Sequence, residues 1–167
     1  MTAQRHNRKW SRRPFLAAFA LALALALSLT SLVRAATTER IVVDQRTGLA
    51  IHGFDPVAYF TDANPQVGRE ELELAFGGVV WRFRNPGNLT AFARDPGVYM
   101  PQFGGYDPIL LAQGVATPGH PQLWVVADNR LFLFHSESGR DAFVANPFRA
   151  TAAAQASWPA VERTLVP

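Results

Sequence analysis

Cysteine is absent from all 167 residues of the chain. Its absence excludes disulfide bonds, thiolate metal sites and a cysteine nucleophile together. The sequence also lacks a GxSxG motif, a phosphate-binding loop and a dinucleotide fingerprint. A folded domain of this sequence must therefore be stabilised by its apolar core, and no familiar catalytic motif suggests an enzyme.

Residues 1–35 have the organisation of an export signal. They combine a basic head, an Ala/Leu-rich centre and a small-residue end at Val33-Arg34-Ala35. The head contains SRRPFL, which is typical of a twin-arginine signal; a general secretion signal and an uncleaved membrane anchor are the alternatives. We expect a signal peptide over 1–35 and a single periplasmic bacterial domain over 36–167, with membrane contact only through the leader.

The basic character of the chain belongs to this leader. The whole chain has 16 basic and 13 acidic residues, a net charge of +3. Removing the six basic residues of the leader leaves 10 basic residues against 13 acidic ones, a net charge of −3. We therefore expect no nucleic-acid partner for the mature domain.

Two stretches, 72–96 and 123–147, repeat the same pattern at a spacing of 51 residues. In each, alternating apolar residues flank a turn, Gly77-Gly78 or Asp128-Asn129, and a short helical segment ends before a proline. A lone unit of this kind cannot bury both of its faces. The sequence thus predicts an α+β fold: a tandem β-hairpin-plus-helix (ββα) repeat in which the hairpins form one small, mostly antiparallel sheet or two facing ones, with short helices.

Three further segments surround these repeats. Asp55-Pro56 is typical of a helix start, with Asp55 as the cap. The segment from Met100 to Pro121 is rich in Gly and Pro, and its length favours a functional loop. Residues 151–161 are expected to form a final helix whose Trp158 packs on the core.

Several segments together resemble a known family. GFDPVAYF, VVWRFRNPGNLTAFARDPGVYMPQFGGYD, LWVVADNRLFLFHSE and SWPAV resemble the periplasmic YHS-domain family over about residues 50–161. The triplet for which that family is named is Phe134-His135-Ser136 here. The resemblance implies a link to heavy-metal handling, usually through cysteines near the helix start. Here His135 and Gly139 stand at those positions in the second repeat, and Asp107 replaces the cysteine of a GGYC motif.

The candidate metal ligands are His135, His120, His52 and Asp107, with Met100 as a thioether neighbour. Imidazole, carboxylate and thioether groups suit copper or zinc, although no HxH or HxxxH spacing brings these residues together. The alternative is that these are capping or surface histidines, or, for His135, a histidine satisfied by a backbone carbonyl. A further aromatic set lies around Gly104-Gly105 and is either core or the lining of a small-ligand pocket: Phe54, Tyr59, Tyr99, Phe103 and Tyr106.

We expect an exported, non-catalytic YHS-domain binding protein whose ligand is a transition metal or a small molecule. The alternative is a structural or protein-interaction module that has lost metal binding and contacts a periplasmic protein partner. An enzyme that uses Asp55 or Asp107 as an acid or base is a third and weaker hypothesis.

Overall fold

The computed structural model describes residues 39–165. The predicted signal peptide, 1–35, lies outside the described residues. The helices and strands, in chain order, are a first 3-10 turn Ile51–Gly53, α1 Ala58–Thr61, β1 Arg69–Phe76, β2 Val79–Phe83, α2 Pro86–Arg94, α3 Pro96–Tyr99, a second 3-10 turn Gln102–Gly105, α4 Pro108–Leu111, β3 His120–Ala127, β4 Arg130–Phe134, α5 Glu137–Ala145 and α6 Pro147–Glu162.

The predicted α+β class is confirmed, with the two hairpins in separate sheets. β1 pairs with β2 and β3 pairs with β4, both antiparallel, and each pair is a two-stranded sheet. Both hairpin turns have two residues of positive φ, namely 66° and 83° at Gly77-Gly78 and 49° and 53° at Asp128-Asn129. This conformation matches the twist of the paired strands and explains the Gly-Gly and Asp-Asn sequences.

Each hairpin leads into a capped helix. The side chain of Asn85 accepts a hydrogen bond from the Asn88 N–H at the start of α2, and Ser136 Oγ accepts one from Gly139 N–H at the start of α5. The final helix α6 begins at Pro147, earlier than the predicted residue 151. Pro147 ends α5 but also occupies the first turn of α6, where Asn146 supplies the cap.

The correspondence between the two repeats extends upstream of the hairpins. Both 3-10 turns contain residues of positive φ, at Ile51-His52-Gly53 and at Phe103-Gly104-Gly105. Each is followed by an aromatic residue and Asp-Pro, at a spacing of 52 residues. The predicted functional loop, 100–121, therefore contains regular structure and is the counterpart of 48–69. We refer below to residues 51–94 as the first half and to residues 103–145 as the second half.

The N-terminal segment of the described chain joins the two halves. Val42 N–H donates to the Gly104 carbonyl at 2.8 Å, and Ile51 N–H donates to the Val42 carbonyl at 3.0 Å. At Gly104, which has φ 63°, a Cβ atom would lie 1.9 Å from the Arg40 carbonyl oxygen. Only glycine permits this approach, so this position fixes the N-terminal segment against the second 3-10 turn.

The apolar core consists of three clusters. One lies mainly in the first half around Trp81, Phe83 and Phe92, and also contains Leu131 and Leu133 of β4. A second groups Phe132 and Phe134 of β4 with Phe143 of α5, and the third packs α6 against Val42, Tyr106 and Leu111. Full burial stabilises each such side chain by about 1.5–3 kcal/mol. None of the helices within residues 39–165 combines the length and apolarity of a membrane span.

Candidate functional site

Two fully buried carboxylates occupy equivalent places in the two halves. Asp55 Oδ1 accepts hydrogen bonds from the N–H groups of Val57 at 2.8 Å and Ala58 at 3.4 Å. Its Oδ2 accepts from Arg84 N–H at 2.8 Å and from the Asn88 side-chain amide at 2.7 Å. Asp55 thus caps α1 and ties it to the end of the first hairpin.

Asp107 repeats this arrangement in the second half. Its Oδ1 accepts from Ile109 N–H at 2.8 Å and Leu110 N–H at 3.3 Å, and its Oδ2 accepts from His135 N–H at 2.8 Å. Gly139 stands where Asn88 stands in the first half, so no side-chain amide reaches this carboxylate. Asp55 and Asp107 therefore act as structural caps. These hydrogen bonds give no support to a metal role for Asp107 or to an acid–base role for either residue.

Of the predicted metal ligands, the structure brings His52 and His120 together. His52 lies in the first 3-10 turn with φ 58°, and His120 begins β3. Their ring centroids are 6.3 Å apart, with the ring planes inclined by 38°. Both residues are exposed, so the pair lies on the surface where an ion can reach it.

Asp44 orients the first of these imidazoles. Its Oδ2 lies 3.4 Å from Nδ1 of His52, and its Oδ1 accepts from Arg46 N–H, Thr47 N–H and the Thr47 hydroxyl at 2.9–3.1 Å. The backbone bonds from Thr47 and Arg46, aided by the proximity of His52, lower the pKa of the Asp44 carboxyl. A carboxylate on Nδ1 would leave Nε2 of His52 to bind an ion.

The second imidazole is held differently. Nδ1 of His120 accepts a hydrogen bond from Gln122 N–H at 3.2 Å, so this nitrogen carries no proton and Nε2 does. Ligation through Nδ1 would displace that bond, and ligation through Nε2 would require the other tautomer. His52 is therefore the better prepared of the two candidate ligands.

His135 takes part in a different interaction. Its Nδ1 lies 3.3 Å from the Pro118 carbonyl oxygen, which makes Nδ1 the donor, and its backbone N–H binds Asp107. Within residues 39–165, no group of three or more His, Asp or Glu side chains is placed to hold a metal ion. The four predicted ligands consequently separate into a histidine pair, a structural cap and an exposed histidine.

The predicted aromatic group around Gly104-Gly105 is wrong as a single cluster. Tyr59 packs edge-on against Trp124 at 5.4 Å and donates to the Pro121 carbonyl, and burial raises its pKa. Tyr106 instead lies in the cluster of α6, 6.3 Å from Trp158. The rings are divided because the two halves bury them in separate clusters.

A cleft opens beside these clusters. It has a volume of about 260 Å³ and is lined by Arg40, Ile41, Gly77, Trp81, Met100, Pro101, Gly104, Trp158 and Glu162. We call it the Trp158 cleft. No local sequence pattern indicates this cleft, because residues distant in sequence form it. Asp44 does have a local signal in DQRT, where an Asp precedes a Thr by three residues.

No family model matches the chain, and neither the curated proteins nor the solved structures contain a match. The YHS resemblance and its functional implications therefore stand as hypotheses, to be judged on the geometry of the site.

Proposed function

We propose that the protein is an exported, non-catalytic binding domain of the YHS type that binds a copper or zinc ion at the His52–His120 pair. The observation that carries the proposal is the proximity of two imidazoles that are 68 positions apart in sequence, one of which is oriented by a carboxylate. Orientation of a ligating histidine by a carboxylate on its other nitrogen is a common feature of metal sites.

The chemistry of the pair favours a late transition metal. Imidazole nitrogen suits Cu²⁺ and Zn²⁺, and affinity for the same ligands rises from Zn²⁺ to Cu²⁺. Two protein ligands leave the remaining coordination positions to water or to a second molecule. Such a site binds and releases its ion more readily than a closed four-ligand centre, which fits a binding role and not a structural one.

The hydrogen bonds of the two buried carboxylates support the non-catalytic part of the proposal. Both oxygens of Asp55 and of Asp107 accept hydrogen bonds, mostly from backbone N–H groups. A carboxylate held in this way stabilises helix starts and has no orientation toward a substrate.

The test is a calorimetric titration of residues 36–167, purified without a polyhistidine tag, with Cu²⁺ and with Zn²⁺. We expect one ion per chain, with Cu²⁺ bound more tightly. His52→Ala and His120→Ala should each abolish stoichiometric binding. Asp44→Asn, which keeps the shape but weakens the orienting contact, should reduce affinity by about 10–100-fold.

His135→Ala is the matched control, because it removes an exposed imidazole whose Nδ1 is already engaged by the Pro118 carbonyl oxygen. Its titration should superimpose on that of the unaltered chain. Loss of binding in His135→Ala with retention in His52→Ala would move the site to the YHS position, and no binding by the unaltered chain would remove the metal function. Bound metal should also stabilise the fold, by about 2.7 kcal/mol at an ion concentration of 100 Kd.

One observation favours the interaction module as a second candidate. Phe148, near the start of α6, is 87% exposed, and the preceding helix contributes Val144 at 55%. Exposed apolar side chains of this size favour a protein contact. If the domain binds a periplasmic partner there, Phe148→Ser should weaken cross-linking to that partner in intact periplasm without changing metal binding.

A further inference from the structure

The Trp158 cleft lies where four parts of the chain meet. Its walls come from the N-terminal segment, the first hairpin, the segment before the second 3-10 turn, and α6. Trp81 belongs to the core cluster of the first half, whereas Trp158 packs on the cluster of α6. The cleft therefore opens between two separately packed cores, which is a common location for small-molecule sites.

The lining combines apolar and aromatic surface with few charges. Its apolar part comprises Ile41, Trp81, Met100, Pro101 and Trp158, and its charged residues are Arg40 and Glu162. The indole N–H of Trp81 donates to the Phe76 carbonyl at 3.0 Å and its ring is fully buried, so Trp81 packs behind the lining and leaves Ile41, Met100 and Trp158 as the accessible apolar walls. Aromatic rings and a thioether give favourable contacts to another planar ring.

The position of Trp158 is fixed by its neighbours. Its ring lies 5.8 Å from Phe103 in an edge-on arrangement and 6.3 Å from Tyr106.

Gly77, at the exposed turn of the first hairpin, has φ 66°, and a Cβ atom there would lie 3.0 Å from Ile41 Cδ1. A glycine at this turn keeps one edge of the cleft free of side-chain atoms.

The volume of the cleft sets the size of its occupant. A dry apolar cavity of about 150 Å³ in another protein accommodates benzene. The Trp158 cleft, at about 260 Å³, has room for a second fused ring. Two charges of opposite sign among the lining residues favour a ligand with a polar substituent over a hydrocarbon.

We propose that the Trp158 cleft binds a small aromatic molecule of one or two fused rings, stacked between Trp158 and Met100 with its polar group toward Arg40 and Glu162. This site is separate from the histidine pair and does not depend on metal binding. A binding domain with both sites would carry an organic ligand and an ion independently.

The test uses 5-fluoroindole as the probe, observed by ¹⁹F NMR during titration with the purified protein. We expect broadening and a shift of the fluorine signal that saturate with a Kd below about 1 mM. Met100→Trp should fill the cleft and weaken binding at least tenfold. Met100→Leu, which conserves volume, should leave the Kd within about twofold.

Two further variants keep the outcome decisive. Phe148→Ala removes the most exposed phenyl ring within residues 39–165 and should not change the Kd, and His52→Ala should not change it either. Near-UV circular dichroism checks the fold, and Ile41→Trp replaces Met100→Trp if that variant does not fold. Binding that survives filling of the cleft, disappears in Phe148→Ala, or never saturates would overturn the proposal.

Discussion

The two halves of the molecule share a backbone but differ in side chains at equivalent points. In both, a turn of positive φ precedes an Asp that caps a short helix and accepts the first N–H after the hairpin. In both, the Asp N–H pairs with a carbonyl ten or eleven residues ahead, from Asp55 to Gln66 and from Asp107 to Thr117. The shared hydrogen bonds define the fold.

The differences coincide with the candidate chemistry. His52 corresponds to Gly104, His120 to Arg69, and His135 to Arg84. Each described histidine thus occupies a position where the other half has a different residue and where the backbone is unchanged. The shared backbone therefore accommodates different side chains at these positions, and two of the three histidines, His52 and His120, lie together.

The largest expected effect comes from the feature that the halves share. Asp55→Ala removes the acceptor of four hydrogen bonds, and Asp107→Ala removes the acceptor of three. Each buried donor left without a partner costs about 1–3 kcal/mol. Three of the four donors to Asp55 are buried, whereas the three donors to Asp107 are partly buried. We expect Asp55→Ala to lose about 4 kcal/mol or more in urea unfolding and Asp107→Ala about 2–4 kcal/mol.

The control for this pair is Asp62→Ala. Asp62 forms an exposed ion pair with Arg84, and such pairs contribute about 0–1 kcal/mol. If Asp107→Ala were as mild as Asp62→Ala, Asp107 would not be a structural cap, and its assignment as a ligand would have to be reopened.

Whether a feature of this fold was predictable depends on how far apart in sequence the interacting residues lie. The hairpins, their turns and the Ser136 cap were predictable because each depends on residues within a few positions. The full extent of the repeat was not, because its upstream parts are offset by 52 residues and the hairpins by 51. The second half has one residue fewer between the helix after Asp107 and β3, and this difference interrupts the alignment. The corresponding GFDP and GYDP motifs are nevertheless visible in the sequence.

The next effect tests the side chain by which the surroundings of the two buried carboxylates differ, Asn88 beside Asp55 and Gly139 beside Asp107. Asn88→Gly removes the amide that donates to Asp55 and places a glycine in α2, so we expect a loss of about 1–2 kcal/mol. Gly139→Asn should make the opposite change in the second half, with a gain of about 0.5–1 kcal/mol from reduced helix-glycine entropy and a new donor to Asp107.

Gly139→Ala separates these two contributions. A Cβ atom at Gly139 would lie 3.0 Å from Asp107 Oδ2, so the carboxylate must shift by a few tenths of an ångström in either variant. The excess stability of the Asn variant over the Ala variant in matched urea unfolding then measures the hydrogen bond. If Ala were the more stable of the two, the second half would not accommodate the arrangement found in the first.

The candidate site was less predictable than the fold. His52 and His120 were recognisable as residue types, but their proximity depends on how the first 3-10 turn packs beside β3, which no local pattern encodes. The resemblance predicts a metal ligand at Asp107 because it places a cysteine there. The hydrogen bonds that Asp107 accepts from Ile109, Leu110 and His135 give a structural reason for a carboxylate at that position, which the spacing of residues does not indicate.

The last effect concerns the hydroxyl that distinguishes Tyr106 from its counterpart Phe54. Tyr106 donates to the Glu39 carbonyl, and Tyr106→Phe should cost about 1 kcal/mol at neutral pH. Burial, with a smaller contribution from the charge of Glu39, raises the pKa of Tyr106 from 10.0 to about 12. A pKa that is higher in the folded state gives stability that is present below about pH 10 and is lost as the pH rises toward 12.

Tyr106→Phe should therefore flatten the decline of unfolding free energy between about pH 10 and 12, leaving the part that Tyr59 contributes. Glu39→Gln keeps the hydroxyl and removes the lesser cause of the shift, so its pH profile should lie close to that of the unaltered chain. Denaturant midpoints measured across this range provide the check. If the unfolding free energy of Tyr106→Phe declined with pH as steeply as that of the unaltered chain, the Tyr106 hydroxyl would be accessible to solvent and not buried beneath the segment Glu39–Val42.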